Sequence, residues 1–321
     1  GEAELIGRSS AINQVRQSIE KVAPTGSRVL ITGPAGSGKE VVARLIHARS
    51  RRNGGPFVGL NCATMRPDRL EMELFGTEAG VDGGGRKIGT FEQAHSGTLL
   101  LDEVADMPLE TQGKIVRALQ EQVFERVGGG HRVEVDVRVV ATSNRDLQAE
   151  IEQGRFRQDL FYRLAVVPIR VPSLAERRED IPLLARHFMQ RSAEAAGLPP
   201  REFGEDAMAA LQAYDWPGNV RQLRNCVERA ANLVDEGEIG LEHLPEYVNC
   251  KPDPASVADG TERSWTIGPG QSLDDVVRDF ERSLIEQALA ESGGNRQETA
   301  RKLGISSTTL WCKMNPASPD T

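Results

Sequence analysis

R-V-L-I-T-G-P-A-G-S-G-K-E, residues 28–40, is the most informative stretch of this chain. The apolar, β-branched run Val29, Leu30, Ile31 predicts a buried strand, and V-V-A-R-L-I (41–46) has helical period. Gly33, Gly36 and Gly38 therefore lie between a strand and a helix, the context that a phosphate-binding loop requires. Glycines let backbone N–H groups turn toward a phosphate chain, the helix N-terminus adds positive potential, and Lys39 brings a mobile charge to the outer phosphates. A Gly-rich turn with an incidental lysine is the plainer reading, and both flanks weigh against it. Gly33, Pro34, Ala35, Gly36, Ser37, Gly38, Lys39, Glu40 and Val41 are the candidate nucleotide-binding loop. Glu40 stands where the general motif has a Ser or Thr that helps hold Mg²⁺.

Around this loop, residues 29–32, 57–60, 98–101, 137–141 and 166–171 read as strands separated by helical patterns, the rhythm of a parallel α/β sheet. Residues 181–189, 205–214 and 220–234 read as helices. Residues 250–271 read as a linker in which Trp265 is a candidate docking residue, and 273–314 turn helical again. The expected division is an α/β part (1–172), a helical part (173–249), the linker (250–271) and a C-terminal helical part (272–321). No internal repeat is evident.

With 321 residues, 39% apolar and 27% charged, the chain is sized for two or three globular domains. No apolar stretch approaches the ~18 residues of a spanning helix and no signal peptide opens the sequence, so a cytoplasmic protein without membrane contact is expected. Cys62, Cys226, Cys250 and Cys312 lie far apart without C-x-x-C spacing, which argues against a zinc site or a disulfide framework. A net charge of −8 argues against a surface that coats nucleic acid indiscriminately, but not against a small reader module at one end.

T-L-L-L-D-E (98–103) reads as a buried strand ending in two carboxylates. Such a strand sets Asp102 beside the phosphate loop to hold Mg²⁺, directly or through water, and leaves Glu103 to polarise an attacking water. Strand-end carboxylates often only cap the next helix. Downstream of a phosphate loop, the pair reads as a hydrolytic site.

E-L-F-G (73–76), F-E-Q-A (91–94), G-T-L-L-L-D-E-V (97–104), F-R-Q-D-L-F-Y-R-L (156–164) and W-P-G-N-V-R-Q-L (216–223) follow in order. Together they closely resemble the AAA+ ATPases that activate sigma-54 RNA polymerase, across residues 4–248. K-V-A-P-T-G-S-R-V-L-I (21–31) and M-P-L-E-T-Q-G-K-I (107–115) narrow the resemblance to the nitrogen-regulation response regulators. That family usually carries Glu after the loop lysine, so Glu40 fits it. The resemblance implies an AAA+ α/β ATPase with a helical lid, ATP and Mg²⁺ as cofactors, and a hexameric or heptameric ring.

The resemblance also implies roles. Asn61 matches the residue that holds the catalytic glutamate away from water, Asn144 the first sensor of the γ-phosphate, and Arg221 the second sensor, on the lid. Arg157 and Arg163 match arginine fingers reaching into a neighbouring subunit, where a fixed guanidinium supplies rate factors of about 10³–10⁵. Leu5, Ile6 and Gly7 match the adenine-side pocket. From the residues alone, Arg157 and Arg163 read equally as surface ion pairs with Asp159 or Glu152, Asn144 as a strand-end turn residue, and Arg221 as a surface charge at a helix start. Relatives often begin with a receiver domain driven by a sensor histidine kinase, whereas this sequence starts at the ATPase.

One departure concerns the pore loop, where sigma-54 activators carry G-A-F-T-G-A, its Phe and Thr touching the sigma factor. Here T-E-A-G-V-D-G-G-G-R-K-I-G-T (77–90) is shorter and has neither residue at its tip. Gly83, Gly84 and Gly85 leave little apolar area to bury against a partner. Either contact with sigma-54 polymerase is lost, or Arg86, Lys87 and Ile88 take it over.

Residues 273–314 resemble a Fis-type helix-turn-helix. A long helix (273–292) carries Val276, Val277, Phe280, Leu284, Ile285 and Leu289 at helical spacing, suited to dimerisation. G-G-N (293–295) breaks it, and two helices follow around a turn at 304–306. The second would enter the major groove of double-stranded DNA, with Ser306, Ser307, Thr308 and Thr309 near bases or phosphates, while Arg296, Arg301, Lys302 and Lys313 steer toward phosphates. Against this stand a weakly basic final helix and the tail N-P-A-S-P-D-T, so a dimerisation bundle that never touches DNA is the competing reading. The combined expectation is an ATP-hydrolysing, ring-forming bacterial transcription regulator of the two-component type. The alternatives are a DNA-binding regulator or repressor using ATP only as an assembly switch, and a AAA+ protein-remodelling chaperone.

Overall fold

The computed structural model describes residues 3–81, 83–249 and 270–315. Nearly all of the expected linker, with Cys250 and Trp265, and the tail beyond Asn315 lie outside the described residues. The chain divides into two compact units, Gly1–Lys251 and Pro252–Thr321.

The first unit opens with α1 (Ser10–Val22), β1 (Val29–Thr32), α2 (Lys39–Ala48), β2 (Phe57–Asn61), α3 (Pro67–Phe75), α4 (Thr90–Gln93) and β3 (Thr98–Asp102). It continues through α5 (Leu109–Glu121), β4 (Val123–Glu125), β5 (Arg132–Glu134), β6 (Arg138–Ser143), α6 (Leu147–Glu152), α7 (Gln158–Leu164) and β7 (Val167–Arg170). The lid follows as α8 (Ile181–Ala196), α9 (Glu205–Ala213), α10 (Asn219–Leu233) and α11 (Glu246–Asn249).

The five expected strands pair in parallel in the order β2-β3-β6-β1-β7. β3 and β6 are buried along nearly their whole length, which is why they read as continuous apolar runs. Strand alternation divides them between two cores. Leu30, Leu99, Leu101, Val139 and Ala141 pack with α3, α5 and α7, while Val29, Ile31, Leu100, Val140 and Ile169 pack with α1 and α2. Among the described residues, the short antiparallel hairpin β4–β5 is a further pair of strands that was not expected.

The lid has its own core around Trp216, fully buried with its Nε1–H donated to Leu211 O at 2.7 Å. Trp216 and Asn219 both hold left-handed backbone (φ 51° and 52°), a conformation that costs about 1–3 kcal/mol each and persists only where its surroundings over-determine it. The sharp turn between them starts α10 and aims it at the phosphate loop.

The second unit holds α12 (Leu273–Glu291), α13 (Arg296–Leu303) and α14 (Ser307–Met314). Ser272 caps α12 in a reciprocal box with Asp275, Asn295 caps α13, and Ser306 caps α14. Its core is small: Ile285, Ala300 and Leu310, edged by Leu289, Leu303, Ile305 and Met314.

Candidate active site

Parallel α/β sheets bind ligands beyond the carboxyl ends of their strands. Here β1, β3 and β6 end together beneath α8 and α10, and a cavity of about 420 Å³ opens between them. Leu5, Ile6, residues 35–41, Asn61, Asp102, Glu103, Asn144 and Arg221 all line it.

The loop after β1 turns through left-handed glycines at Gly36 (φ 78°) and Gly38 (φ 104°), and Gly38 starts α2 without a side-chain cap. The first N–H groups of α2 are thus open to an anion. Lys39 is 6% exposed, and its Nζ donates to Gly33 O (2.8 Å) and Pro34 O (3.2 Å) and lies 3.3 Å from Glu103 Oε1. Ser37 Oγ is buried without a protein partner, an unsatisfied hydroxyl in the cradle that a phosphate oxygen would satisfy.

At the end of β3, Asp102 Oδ1 accepts from the Thr142 hydroxyl and Oδ2 lies 3.5 Å from Asn61 Nδ2. In this structure Asn61 thus meets Asp102 and not Glu103. The reason is register: β2 pairs with β3 so that Asn61 sits opposite Asp102. Glu103 is held instead by Lys39 and by Asn144 N, which donates to Oε2 at 3.0 Å. Its backbone is left-handed (φ 57°), and its own N–H donates to Thr142 Oγ1 at 3.0 Å. Thr142 thus ties both carboxylate residues to β6, a function that its place in an apolar strand did not signal.

The lid closes on the loop through backbone contacts. Arg221 N donates to Gly36 O (3.1 Å) and Asn219 Nδ2 to Ala35 O (3.0 Å), while Asn219 Oδ1 accepts from Leu174 N (2.8 Å). A Cβ at Gly36 would lie 2.3 Å from Gly218 O, so glycine is needed there. In the sequence Asn219 is one residue of W-P-G-N, and nothing local signals its bridging role, which depends on a residue 184 positions away.

Beyond the loop, Arg177 (2% exposed) and Asp180 (fully buried) pair at 3.0 Å. Asp180 also accepts from Arg8 N (2.7 Å), Ser9 N (2.9 Å) and Ser9 Oγ (2.5 Å), and Arg177 donates to Ile6 O. Burial alone would raise the Asp180 carboxyl, but the Ser9 hydroxyl, Arg8 N–H and Arg177 guanidinium outweigh it and hold it below the ordinary aspartate range. This buried pair pins the Leu5–Ile6 strap to the lid. Gly7 does not line the cavity; it is pressed against Arg177 and Asp180 at φ 136°.

Neither Arg157 nor Arg163 lines the cavity of its own chain. Arg157 is exposed and grips Asp159 through two bonds of 3.0 and 2.8 Å. Arg163 sits half-buried on α7. Below them, the shortened loop is braced at its root: Thr77 and Lys87 exchange backbone bonds, Glu78 N donates to Val127 O, and Arg126 pairs with Glu78 and Glu92.

In the second unit, Ser307, Thr308 and Thr309 are exposed along α14, and Ser306 serves as its cap. Arg296 and Arg301 are exposed. Lys302 pairs with Glu291 and Lys313 with Glu281, both in solvent-exposed ion pairs within the unit that leave the lysines able to exchange partners. Among the described residues, no helix is long and apolar enough to cross a membrane and no metal-holding cluster of His, Cys, Asp or Glu gathers.

Comparison with known proteins matches residues 5–170 to the sigma-54 interaction domain, 175–260 to the AAA+ ATPase lid domain and 276–315 to the bacterial regulatory protein Fis family. The nitrogen assimilation regulatory protein NtrX of Azorhizobium caulinodans is 48% identical over 313 residues, 97% of this chain and 68% of that protein. The transcriptional regulatory protein ZraR of Escherichia coli is 45% identical over the same shares of both chains. The crystal structure of Brucella abortus NtrX in complex with ATP is 48% identical, with a TM-score of 0.72 over 97% of this chain and 68% of that one; its ADP complex gives the same score over 98% and 69%.

Proposed function

The chain belongs to the sigma-54 activator family of bacterial transcription regulators, with an AAA+ domain, its lid and a Fis-type helix-turn-helix, and we propose that it hydrolyses ATP in a self-assembled ring whose second unit grasps double-stranded DNA. One observation carries the reading: Lys39, Asp102, Glu103, Asn144 and Arg221, from separate segments, converge on one cavity. The solved relative bound to ATP supports the choice of nucleotide.

In this reading the phosphates replace the loop carbonyls as partners of Lys39, and the lysine lets go of Glu103. Ser37 Oγ and the open N–H groups of α2 complete the cradle, and Leu5 and Ile6 flank the base. Glu103 is then free to polarise the attacking water, with Asn144 beside the γ-phosphate. Mg²⁺, when bound, neutralises phosphate charge; Asp102, its oxygens fixed by Thr142 and Asn61, is the residue to hold it. Arg157 and Arg163, remote from their own cavity, are the candidates to supply positive charge to a neighbour's. A ring then becomes a condition of turnover. The second unit buries so small a core that self-pairing through the exposed Leu273, Val277 and Leu284 of α12 is its natural support.

The pore loop sets this chain apart from sigma-54 contact. Its tip offers glycines where a small loop needs an aromatic anchor, so we assign transcriptional control to DNA binding and ring assembly and not to a grip on the sigma factor. ATP turnover measured against protein concentration tests the enzyme: a steep rise is expected, abolished in Glu103→Ala and Arg157→Ala. Turnover untouched by either substitution refutes the shared site. Open-complex formation with sigma-54 polymerase would refute the reading of the loop.

A further inference from the structure

Gln112 on α5 belongs to no site described so far, yet its side chain is fully buried and bonded on every side. Its Nε2 donates to Met107 O at 2.8 Å and Arg155 O at 3.0 Å, and its Oε1 accepts from Arg157 N at 2.8 Å. Met107 ends the single turn (Val104–Asp106) that leaves Glu103, and Met107 N donates back to Val104 O at 3.2 Å. Asp106, in that turn, lines the cavity and pairs with Arg145 at 2.9 Å. One buried amide therefore spans the segment leaving the hydrolytic glutamate and the segment that starts at Arg157.

The next residue fits the same arrangement. Gly113 lies inside α5, where glycine is a poor helix former. A Cβ there would lie 2.8 Å from Arg157 Nη1. The glycine clears a bed for the guanidinium against the helix, while Asp159 holds its other edge.

We propose that Gln112 is a positioning residue that couples the hydrolysis site of one subunit to the arginine which that subunit offers its neighbour, with Gly113 shaping the guanidinium's bed. The inference rests on the reading of Arg157 as acting across subunits. When Glu103 changes partner, the 103–107 turn moves. Gln112 has no slack, because its donors and acceptor are all engaged, so the start of α7 moves with the turn. Sites around the ring then report to one another through packed, two-sided hydrogen bonding, a physical link and not mere proximity.

The experiment uses the whole chain in Gln112→Met and Gly113→Ala forms, with Arg157→Ala beside them. Affinity for a fluorescent ATP analogue, assembly by light scattering, and kcat and KM are measured on each. Parent chain is also doped with increasing shares of Glu103→Gln subunits. Expected for both variants are parental affinity and assembly, an unchanged KM, and a kcat lower by about tenfold, the scale on which altered coupling networks act. Doping should depress parental turnover more steeply than simple dilution, and Gln112→Met turnover in proportion to dilution. If Gln112→Met fails to fold, Gln112→Asn, which keeps a polar amide too short to span both segments, decides. Doping that stays steep in whichever Gln112 variant folds overturns the inference, and parental kcat in Gly113→Ala overturns the role given to the glycine. Full activity in Arg157→Ala instead overturns the cross-subunit reading on which it rests.

Discussion

Asp180→Asn tests whether the buried pair behind the nucleotide cavity holds the lid to the N-terminal strap. The substitution keeps the shape of the side chain and removes its charge. One amide oxygen can still accept from Arg8 N and Ser9 N, which now donate at 2.7 and 2.9 Å. The new NH₂ group, however, faces Arg177 Nε, which stands 3.0 Å from the present carboxylate. Arg177, 2% exposed, is left as an uncompensated buried cation. Breaking one side of such a pair costs about 3–5 kcal/mol. Because the amide retains the two backbone donors, the lower end, about 3 kcal/mol, is expected. Against a typical total of about 5–15 kcal/mol this is large.

Urea unfolding of parent and variant at pH 7 measures the difference from the shift in midpoint at constant slope. Acid adds a second reading. The folded Asp180 carboxyl lies below its ordinary value, so its contribution is fully present above the unfolded pKa of about 3.9 and is lost as pH falls through the folded value. The gap between parent and variant should therefore be flat from pH 5 to 8 and shrink below pH 4. Replacing both partners, Arg177→Met with Asp180→Asn, should recover much of the loss, because no charge is then stranded and the amide oxygen still accepts from Arg8 N and Ser9 N. A single-variant cost below about 1 kcal/mol, or a double variant less stable than Asp180→Asn, would refute the argument.

Gly36→Ala should weaken nucleotide binding in calorimetric titration by about 1–3 kcal/mol, since alanine strains the backbone at φ 78° and its Cβ meets Gly218 O at 2.3 Å. Iodoacetamide at pH 8, read by mass spectrometry, should modify the exposed Cys312 and spare Cys62 and Cys226. Burial, reinforced by Asp102, Asp106 and Glu103, pushes the Cys62 thiol up to about 12, and burial pushes that of Cys226 to about 11. Leu284→Asp, placing a charge on the exposed stripe of α12, should abolish the proposed pairing through the second unit, read as loss of the dimer in sedimentation of the whole chain.

The central strands β1, β3 and β6 were legible because each is a short apolar run covered on both faces, so neither face needed polar residues. β2 and β7, at the sheet's edges, are partly exposed and were legible from their apolar residues and their place between helical patterns. The β4–β5 hairpin was not, because V-F-E and R-V-E are too short for a period-2 pattern to register. Glycine spacing and strand-end carboxylates pointed to the cavity, yet their detailed partners depend on register and long-range contact. Asn61 meets Asp102 and not Glu103 because β2 and β3 align one position short of the glutamate. Thr142 reads as one more strand residue until β6 sets it between Asp102 and Glu103. Lys302 and Lys313 read as free charges because Glu291 and Glu281 approach them only once the three helices pack.

The shortened loop keeps its root and has lost its tip, and these two facts bear on function differently. Arg126 holds Glu92 at 2.7 Å and Glu78 at 3.1 Å, and Thr77 bridges both Lys87 and Val127, so the stem is fixed to α4 and to the strand end after β4. A stem so braced will follow any displacement of the sheet edge that nucleotide imposes. At the tip, Gly83, Gly84 and Gly85 meet nothing within 4 Å of a would-be Cβ, and the nearby exposed apolar side chains are the small Val81 and the displaced Ile88. Motion can therefore reach the tip, but no aromatic surface is there to convert it into a grip, and ordering so many glycines on a partner would cost more conformational entropy than ordering any other residues. In the function proposed above, the output of nucleotide turnover therefore runs through the helix-turn-helix unit, whose Arg296, Arg301, Ser307, Thr308 and Thr309 are exposed.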